Sequence, residues 1–268
     1  MPTEVEPYQV HAIRYAHHQR EARDNFMFAD FHDGPQALDF YIWLITGNGR
    51  TFVVDLGFDH EGAARRGREI TRLPSEGLQM LGIDAGSVAD VIVTHMHYDH
   101  AGDLNSFPNA TLHLQEREMA FATGRHMTSS TMRRAFDVDY VCDFVRAVYD
   151  ERVNFIDGTR ELAPGLSVHH IGGHTDGHQV VRVWTEAGWL VLASDAVHLY
   201  ANRDNENPFP IVYNVGDMIH GYSVVGSLAS DDKLIIPGHD PLVRSRFPCP
   251  DGAFDGEIVR LDQGQLEP

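Results

Sequence analysis

Cysteine is nearly absent from this chain of 268 residues, which holds two, Cys142 and Cys249. Two thiols supply neither a disulfide framework nor a thiolate zinc cage, and they read as reduced thiols in a reducing compartment. Long apolar runs are missing as well. The longest, such as Phe40–Ile45 and Trp189–Ala193, fall far short of the ~20 residues that span a bilayer. Positive charge is in deficit: 21 basic against 39 acidic residues leave a formal charge of −18. Such a surface repels phosphate backbones and anionic lipid, so neither nucleic acid nor a membrane is expected as a partner, and an anionic substrate would be steered in poorly. Met1–His11 carries Glu4 and Glu6 without an apolar stretch, unlike a secretory signal, and a cytoplasmic protein is expected. No Pro/Gly/Ser linker or low-complexity tract divides the sequence, which reads as one domain over residues 1–268. At 43% hydrophobic and 22% charged residues, it can bury a core without covalent staples.

What the chain has in excess is histidine, with 17. Their placement follows the predicted elements. Phe40–Ile45 and Thr51–Asp55 flank Gly47-Asn48-Gly49 and predict a β-hairpin. Asp59–Thr71 reads as a surface helix capped by Asp59. A short helix at Asp84–Ala89 feeds a buried strand, Asp90–Thr94, which stops at the polar cluster His95–His100. Strand Thr111–Leu114 and a helix from Gln115 to Ala122 follow. The apolar residues of Thr128–Arg152 recur near helical spacing, which predicts a helical insertion at about 125–152. Strands are expected at Val153–Ile156, Leu166–Ile171, Gln179–Thr185 and Trp189–Ser194, a helix at Val215–Leu228, and a last strand from Lys233 to Ile236. Two β-rich halves flanked by helices make an α/β protein, a four-layer αβ/βα sandwich.

Thr94-His95-Met96-His97-Tyr98-Asp99-His100 packs three histidines and an aspartate into six positions. Strand alternation puts His95 and His97 on one face, and a turn can swing Asp99 and His100 back to the same point. Imidazole nitrogen and carboxylate oxygen suit zinc, iron, manganese or cobalt. Two adjacent ions need more donors, which His174, Asp195 and His239 can supply, each just after a predicted strand.

This order, His-x-His-x-Asp-His followed by an isolated His, an Asp and Pro237-Gly238-His239, resembles the metallo-β-lactamase superfamily from about Phe40 to Asp240. The resemblance implies that His95, His97 and His174 hold one divalent ion and Asp99, His100 and His239 a second, with Asp195 bridging; zinc is the first expectation. His178, in His174-Thr175-Asp176-Gly177-His178, matches a position that supports such sites by a hydrogen bond, or else is a turn residue. Apart from His198, the remaining histidines, His18 among them, read as ordinary polar residues. Between the ions a bridging hydroxide would attack a carbonyl, with Asp99 passing the proton to the leaving oxygen.

Within the superfamily the chain is most similar to lactonases acting on N-acyl-homoserine lactones or pyridoxolactone. Its motif continues Ala101-Gly102-Asp103, and its tail, Asp251–Pro268, lacks a basic glutathione clamp, which sets a glyoxalase II-like thioester hydrolase second. A non-catalytic metal-binding sensor is the reading from another class. The quorum-quenching lactonases usually place a tyrosine three residues after the bridging aspartate. Here His198 stands there and Tyr200 two further on, so either one of these two polarises the carbonyl or the substrate is a different ring, such as an aromatic or hydroxylated lactone. Phe26, Met27, Phe28, Phe31, Met127, Met132, Phe136, Phe209, Ile211 and Tyr213 are candidates for an apolar pocket. Arg203 is open between a solvated loop and a contact to a polar substrate group. The expected partner is a small lactone, with a homodimer left open.

Overall fold

A computed structural model describes residues 5–30, 32–250, 254 and 256–267. Two sheets form among them. The larger runs through β1 (Gln9–His18), β2 (Leu38–Gly47), β3 (Arg50–Val54), β4 (Glu69–Ile70), β5 (Asp90–Ile92), β6 (Thr111–Gln115), β7 (Val153–Ile156) and, from the far end of the chain, β13 (Ile258–Arg260). Its order is β13-β1-β2-β3-β5-β6-β7, with β4 on β1. The smaller has the order β12-β11-β10-β9-β8, built from β8 (Arg160–Ala163), β9 (Leu166–His170), β10 (Gln179–Thr185), β11 (Gly188–Ser194) and β12 (Ile235–Pro237). The predicted hairpin forms as β2 and β3. Its turn has Asn48 at φ 52° and Gly49 at φ 69°, the doubly left-handed turn that an Asn-Gly pair favours because it matches strand twist.

Alternation along β2 sets the layers. Phe40, Ile42 and Leu44 join a core with Leu112 and Phe144 on the side of helix Val138–Tyr149. Tyr41, Trp43 and Ile45 point the other way, into a core shared with Val181, Val183, Leu190 and Leu192 of the second sheet. The outer face of that sheet packs Val180, Val191 and Ala193 on Met218, Tyr222 and Val225 of helix Val215–Leu228. Helix, sheet, sheet, helix is the expected four-layer order.

Several elements differ from expectation: β1, β4, β8 and β13 form outside the expected strands, and β12, at Ile235–Pro237, is not the last. The helix expected over Asp59–Thr71 is shorter, His60–Arg66. Asp59 caps its start, accepting from Gly62 N, and Gly67 at φ 59° ends it in the left-handed conformation that glycine adopts without steric cost. Residues 85–87 form a single 3₁₀ turn. In the 125–152 stretch, short turns precede Ser130–Arg133 and then Val138–Tyr149.

Candidate metal centre

The sheet ends that face one another deliver the cluster. In the larger sheet β3 and β5 run parallel, so both stop at the same edge. There Asp55 (φ 63°) turns out of β3. Its buried carboxylate accepts from Thr94 N at 2.7 Å and Thr94 Oγ1 at 2.8 Å, and it holds His100 Nδ1 at 2.7 Å. In the smaller sheet β11 and β12 are also parallel, and Ser194 (φ 46°) turns the chain into Asp195. Thr94 Oγ1 lies 3.0 Å from Ser194 Oγ, joining the two edges. Left-handed backbone at non-glycine residues persists only where surrounding contacts fix it.

On this frame three imidazole nitrogens converge. His97 Nδ1 lies 3.0 Å from His95 Nε2 and 2.8 Å from His174 Nε2. Asp195 Oδ2 sits 3.2 Å from His174 Nε2 and 3.8 Å from His95 Nε2. Its other oxygen is 3.0 Å from His239 Nε2 and 3.3 Å from His100 Nε2. Asp99 Oδ2 completes that side, 3.7 Å from His239 Nε2 and 3.9 Å from His100 Nε2. The donor atoms of His95, His97, His174 and Asp195 all lie within 4.8 Å of one another, as do those of Asp99, His100 and His239.

The donor set fits metal ions. Burial pushes His95, His97 and His174 well below the ordinary imidazole range, leaving neutral rings able to offer a lone pair to a metal. Among the described residues, His100 Nε2 and Asp195 Oδ1 are buried without a well-directed hydrogen bond although they lie 3.3 Å apart, a costly state that coordination would relieve. Outer contacts orient several rings: Thr94 Oγ1 is 3.1 Å from His95 Nδ1, and His239 Nδ1 is 3.0 Å from the Asp39 carbonyl. Burial opposes a charge on His100, but Asp195, Asp55 and Asp99 outweigh it and raise its pKa.

The structure brings all seven expected ligands together, and His198 with them. Its Nε2 is 2.9 Å from Asp195 Oδ2, and its ring stacks on Phe209 at 3.9 Å, tilted 3°. Tyr200 is not brought to the cluster. Its N–H donates to Asp240 Oδ2, the helix Tyr200–Asp204 starts there, and the ring turns away to lie 4.0 Å under the Arg246 guanidinium in a separate cavity. Among the described residues His178 makes no ring hydrogen bond; it is buried 5.1 Å from the His95 ring as a packing residue. Arg203 pairs with Asp232 at 2.7 Å, away from the cluster.

Two carboxylates that sequence reasoning missed hold the loops. Asp55 is one. The other is Glu118, fully buried, accepting from Met96 N (2.9 Å), Thr175 Oγ1 (2.6 Å) and Gly177 N (3.0 Å). It fastens the loop of His95 and His97 to the loop of His174.

A cleft of about 200 Å³ opens over the cluster, lined by His97, Asp99, His198, Phe209 and Ile211. Of the other apolar candidates, Phe136 packs on His97 at 4.6 Å, and Met132 and Tyr213 line a smaller neighbouring hollow. Phe26 packs beneath Phe209, Met127 lines a separate cavity, and Met27 and Phe28 lie by the 207–208 loop, Phe28 exposed. Phe31 lies outside the described residues.

A sequence profile of the metallo-beta-lactamase superfamily matches residues 41–239. An N-acyl homoserine lactonase of Bacillus sp is 29% identical over 133 residues, 49% of this chain and 48% of its own length. The N-acyl homoserine lactonase AttM of Azorhizobium caulinodans is 30% identical over 186 residues, 66% of this chain and 68% of its own length. The chain thus spans about half the length of the first relative and two thirds of the second. The crystal structure of a quorum-quenching N-acyl homoserine lactone lactonase superposes with a TM-score of 0.73 at 20% identity, covering 90% of this chain and 95% of that one. AidC, a dizinc quorum-quenching lactonase in complex with a homoserine product, gives 0.70 at 16% identity over 89% of each chain. At these identities the superpositions establish the fold.

Proposed function

The chain belongs to the metallo-β-lactamase superfamily, and from that premise we propose that it is a metal-dependent hydrolase that opens lactone rings, of N-acyl-homoserine lactones or of a related lactone. The observation that carries this reading is the convergence of three neutral imidazoles and Asp195 on one buried point, beside Asp99, His100 and His239, at the floor of an open cleft. The lactonase relatives support the choice of carbonyl substrate.

His95, His97, His174 and Asp195 would hold one ion and Asp99, His100 and His239, with Asp195 between, the other; zinc is the proposed metal. Two such ions supply a water ionised near neutral pH and a Lewis acid for the carbonyl. The remaining work falls to the chain's own groups. Asp99 faces the cleft and would carry a proton to the leaving ring oxygen. His198 lines the same cleft, its plane fixed by Phe209, and is assigned the donor contact to the carbonyl oxygen. Phe40, Leu38 and Ile211 give the walls apolar stretches against which a ring can lie.

The test is proton release in a pH-stat by zinc-loaded protein on acyl-homoserine lactones of several chain lengths, simple γ- and δ-lactones, an aromatic lactone and a glutathione thioester. Lactone turnover is expected, and Asp99→Asn should reduce kcat by on the order of 10²–10⁴. Turnover of the thioester alone would make the protein a thioester hydrolase. Two bound metals with silence across the panel would leave a binding protein.

A further inference from the structure

Four guanidinium groups line the cleft beside His97, Asp99 and His198. Arg20 follows β1, Arg66 and Arg68 flank Gly67, and Arg134 follows the helix Ser130–Arg133. A larger cleft of about 680 Å³ shares Arg20, Arg68 and Arg134 and leads outward from the first. Among the described residues none of the four has a carboxylate oxygen within 4.0 Å, whereas Arg14, Arg65, Arg117 and Arg203 are each ion-paired.

Their hydrogen bonds go to uncharged atoms. Arg66 donates to the carbonyls of Arg134 and Phe136, Arg68 to the Tyr98 hydroxyl and the Arg66 carbonyl, and Arg20 to the Asp24 carbonyl. Three lie over rings, Arg66 at 4.5 Å and Arg68 at 6.0 Å from Tyr98 and Arg20 at 5.0 Å from Phe209. The Arg134 side chain has no partner among the described residues. Glu21 and Asp24 line only the outer cleft, and the carboxylates of the floor, Asp99 and Asp195, belong to the metal cluster. The field is felt locally: burial, and then Arg68 and Arg20, push the His18 imidazole down to about 4. Asp24 offsets part of the charge on Arg20, but Arg68 and Arg134 oppose it, so four cations gathered with no carboxylate in ion-pair contact repel one another on a chain of net charge −18.

We propose that this arginine cleft binds a carboxylate, so that the substrate is a lactone bearing an anionic carboxylate a short distance from the scissile carbonyl. The inference rests on the lactonase reading and narrows it. Guanidinium groups suit the task because their planar N–H forks match carboxylate oxygens in pairs. It also reverses the expectation from net charge: a sum over the whole surface hides a cleft of opposite sign.

The experiment compares 5-oxotetrahydrofuran-2-carboxylate with its neutral carboxamide in the pH-stat, on zinc-loaded protein. Alongside it, calorimetry measures binding of 2-hydroxyglutarate, the ring-opened product, to metal-free protein. The carboxylate should exceed the amide in kcat/KM by about 10- to 100-fold, a preference that added salt reduces. In the double variant Arg20→Gln/Arg134→Gln the ratio should collapse toward one and 2-hydroxyglutarate binding should weaken at least ~10-fold. The control Arg146→Gln removes an exposed arginine paired with Asp143 and should leave ratio and binding as they are. Equal turnover of both lactones would overturn the proposal and leave the lactonase reading standing. Arginine-dependent binding of 2-hydroxyglutarate with neither of these lactones nor any lactone of the wider panel opened would sustain the anion cleft and overturn the lactonase. Neither turnover nor binding would overturn both.

Discussion

Replacing Glu118 by glutamine should change the stability of this protein by an amount whose size depends on pH in a defined direction. Glu118 is fully buried, and burial raises its pKa to about 7 against an ordinary 4.5, although bonds from Thr175, Met96 and Gly177 pull the other way. An acid whose folded pKa exceeds its unfolded one takes up protons on folding. Its ionisation therefore lowers stability as pH rises through the window from about 4.5 to 7, and the loss is complete above it. The displacement corresponds to roughly 3 kcal/mol. Glutamine removes that slope but has one carbonyl oxygen where the carboxylate has two. The carboxylate accepts Met96 N–H on Oε1, and Thr175 and Gly177 on Oε2. An amide in either orientation leaves one buried N–H unsatisfied, at a cost of about 1–3 kcal/mol. At pH 5 the variant should be the less stable by that amount; at pH 8 the difference should vanish or change sign. Urea unfolding of both proteins at pH 5, 6, 7 and 8, after chelation of metal so that ligand protonation cancels in the difference, measures it. A difference constant with pH, or one growing more unfavourable to glutamine as pH rises, would refute the reasoning.

Two further substitutions separate the framework from the donors. Asp55→Asn keeps the shape but weakens the charged hold on His100 Nδ1, now 2.7 Å long. Metal content after equilibration against a zinc buffer should show affinity at the second ion reduced by about 10- to 100-fold, with the fold retained by circular dichroism. Gly238→Ala would place a Cβ 2.7 Å from Asp195 Oδ1 and 2.9 Å from the Ser194 carbonyl carbon. Relief requires moving the carboxylate between the two donor sets, so turnover should fall by more than ~10-fold for a stability loss of about 1–3 kcal/mol; equal turnover to the parent would refute that placement.

The cluster was legible because its chemistry is dense in the chain: three histidines and an aspartate within His95–His100, and three later donors each beyond a strand. Asp55 and Glu118 were not, since a lone carboxylate carries no mark of the N–H groups it will meet after folding. The strand β1 escaped for a related reason. His11, Arg14, His17 and His18 interrupt its apolar residues, and a pairing such as that of Arg14 with Asp39 at 3.1 Å forms only on folding. The arginine cleft joins residues 20, 66, 68 and 134, a proximity that no local pattern encodes. Tyr200 failed as a candidate because two residues beyond His198 a helix begins and reverses the side chain's direction.

The donors and the arginines occupy different kinds of chain. The donors sit on the loops that leave β5, β9, β11 and β12, fastened by the buried carboxylates Asp55 and Glu118, while Arg20, Arg68 and Arg134 sit on segments that connect elements and Arg66 ends a helix. Connections accept substitution more readily than sheet edges do. A lineage built this way can exchange one substrate for another by point changes on the rim while its reactive floor is inherited intact, so descent and specificity are recorded in separate sets of positions.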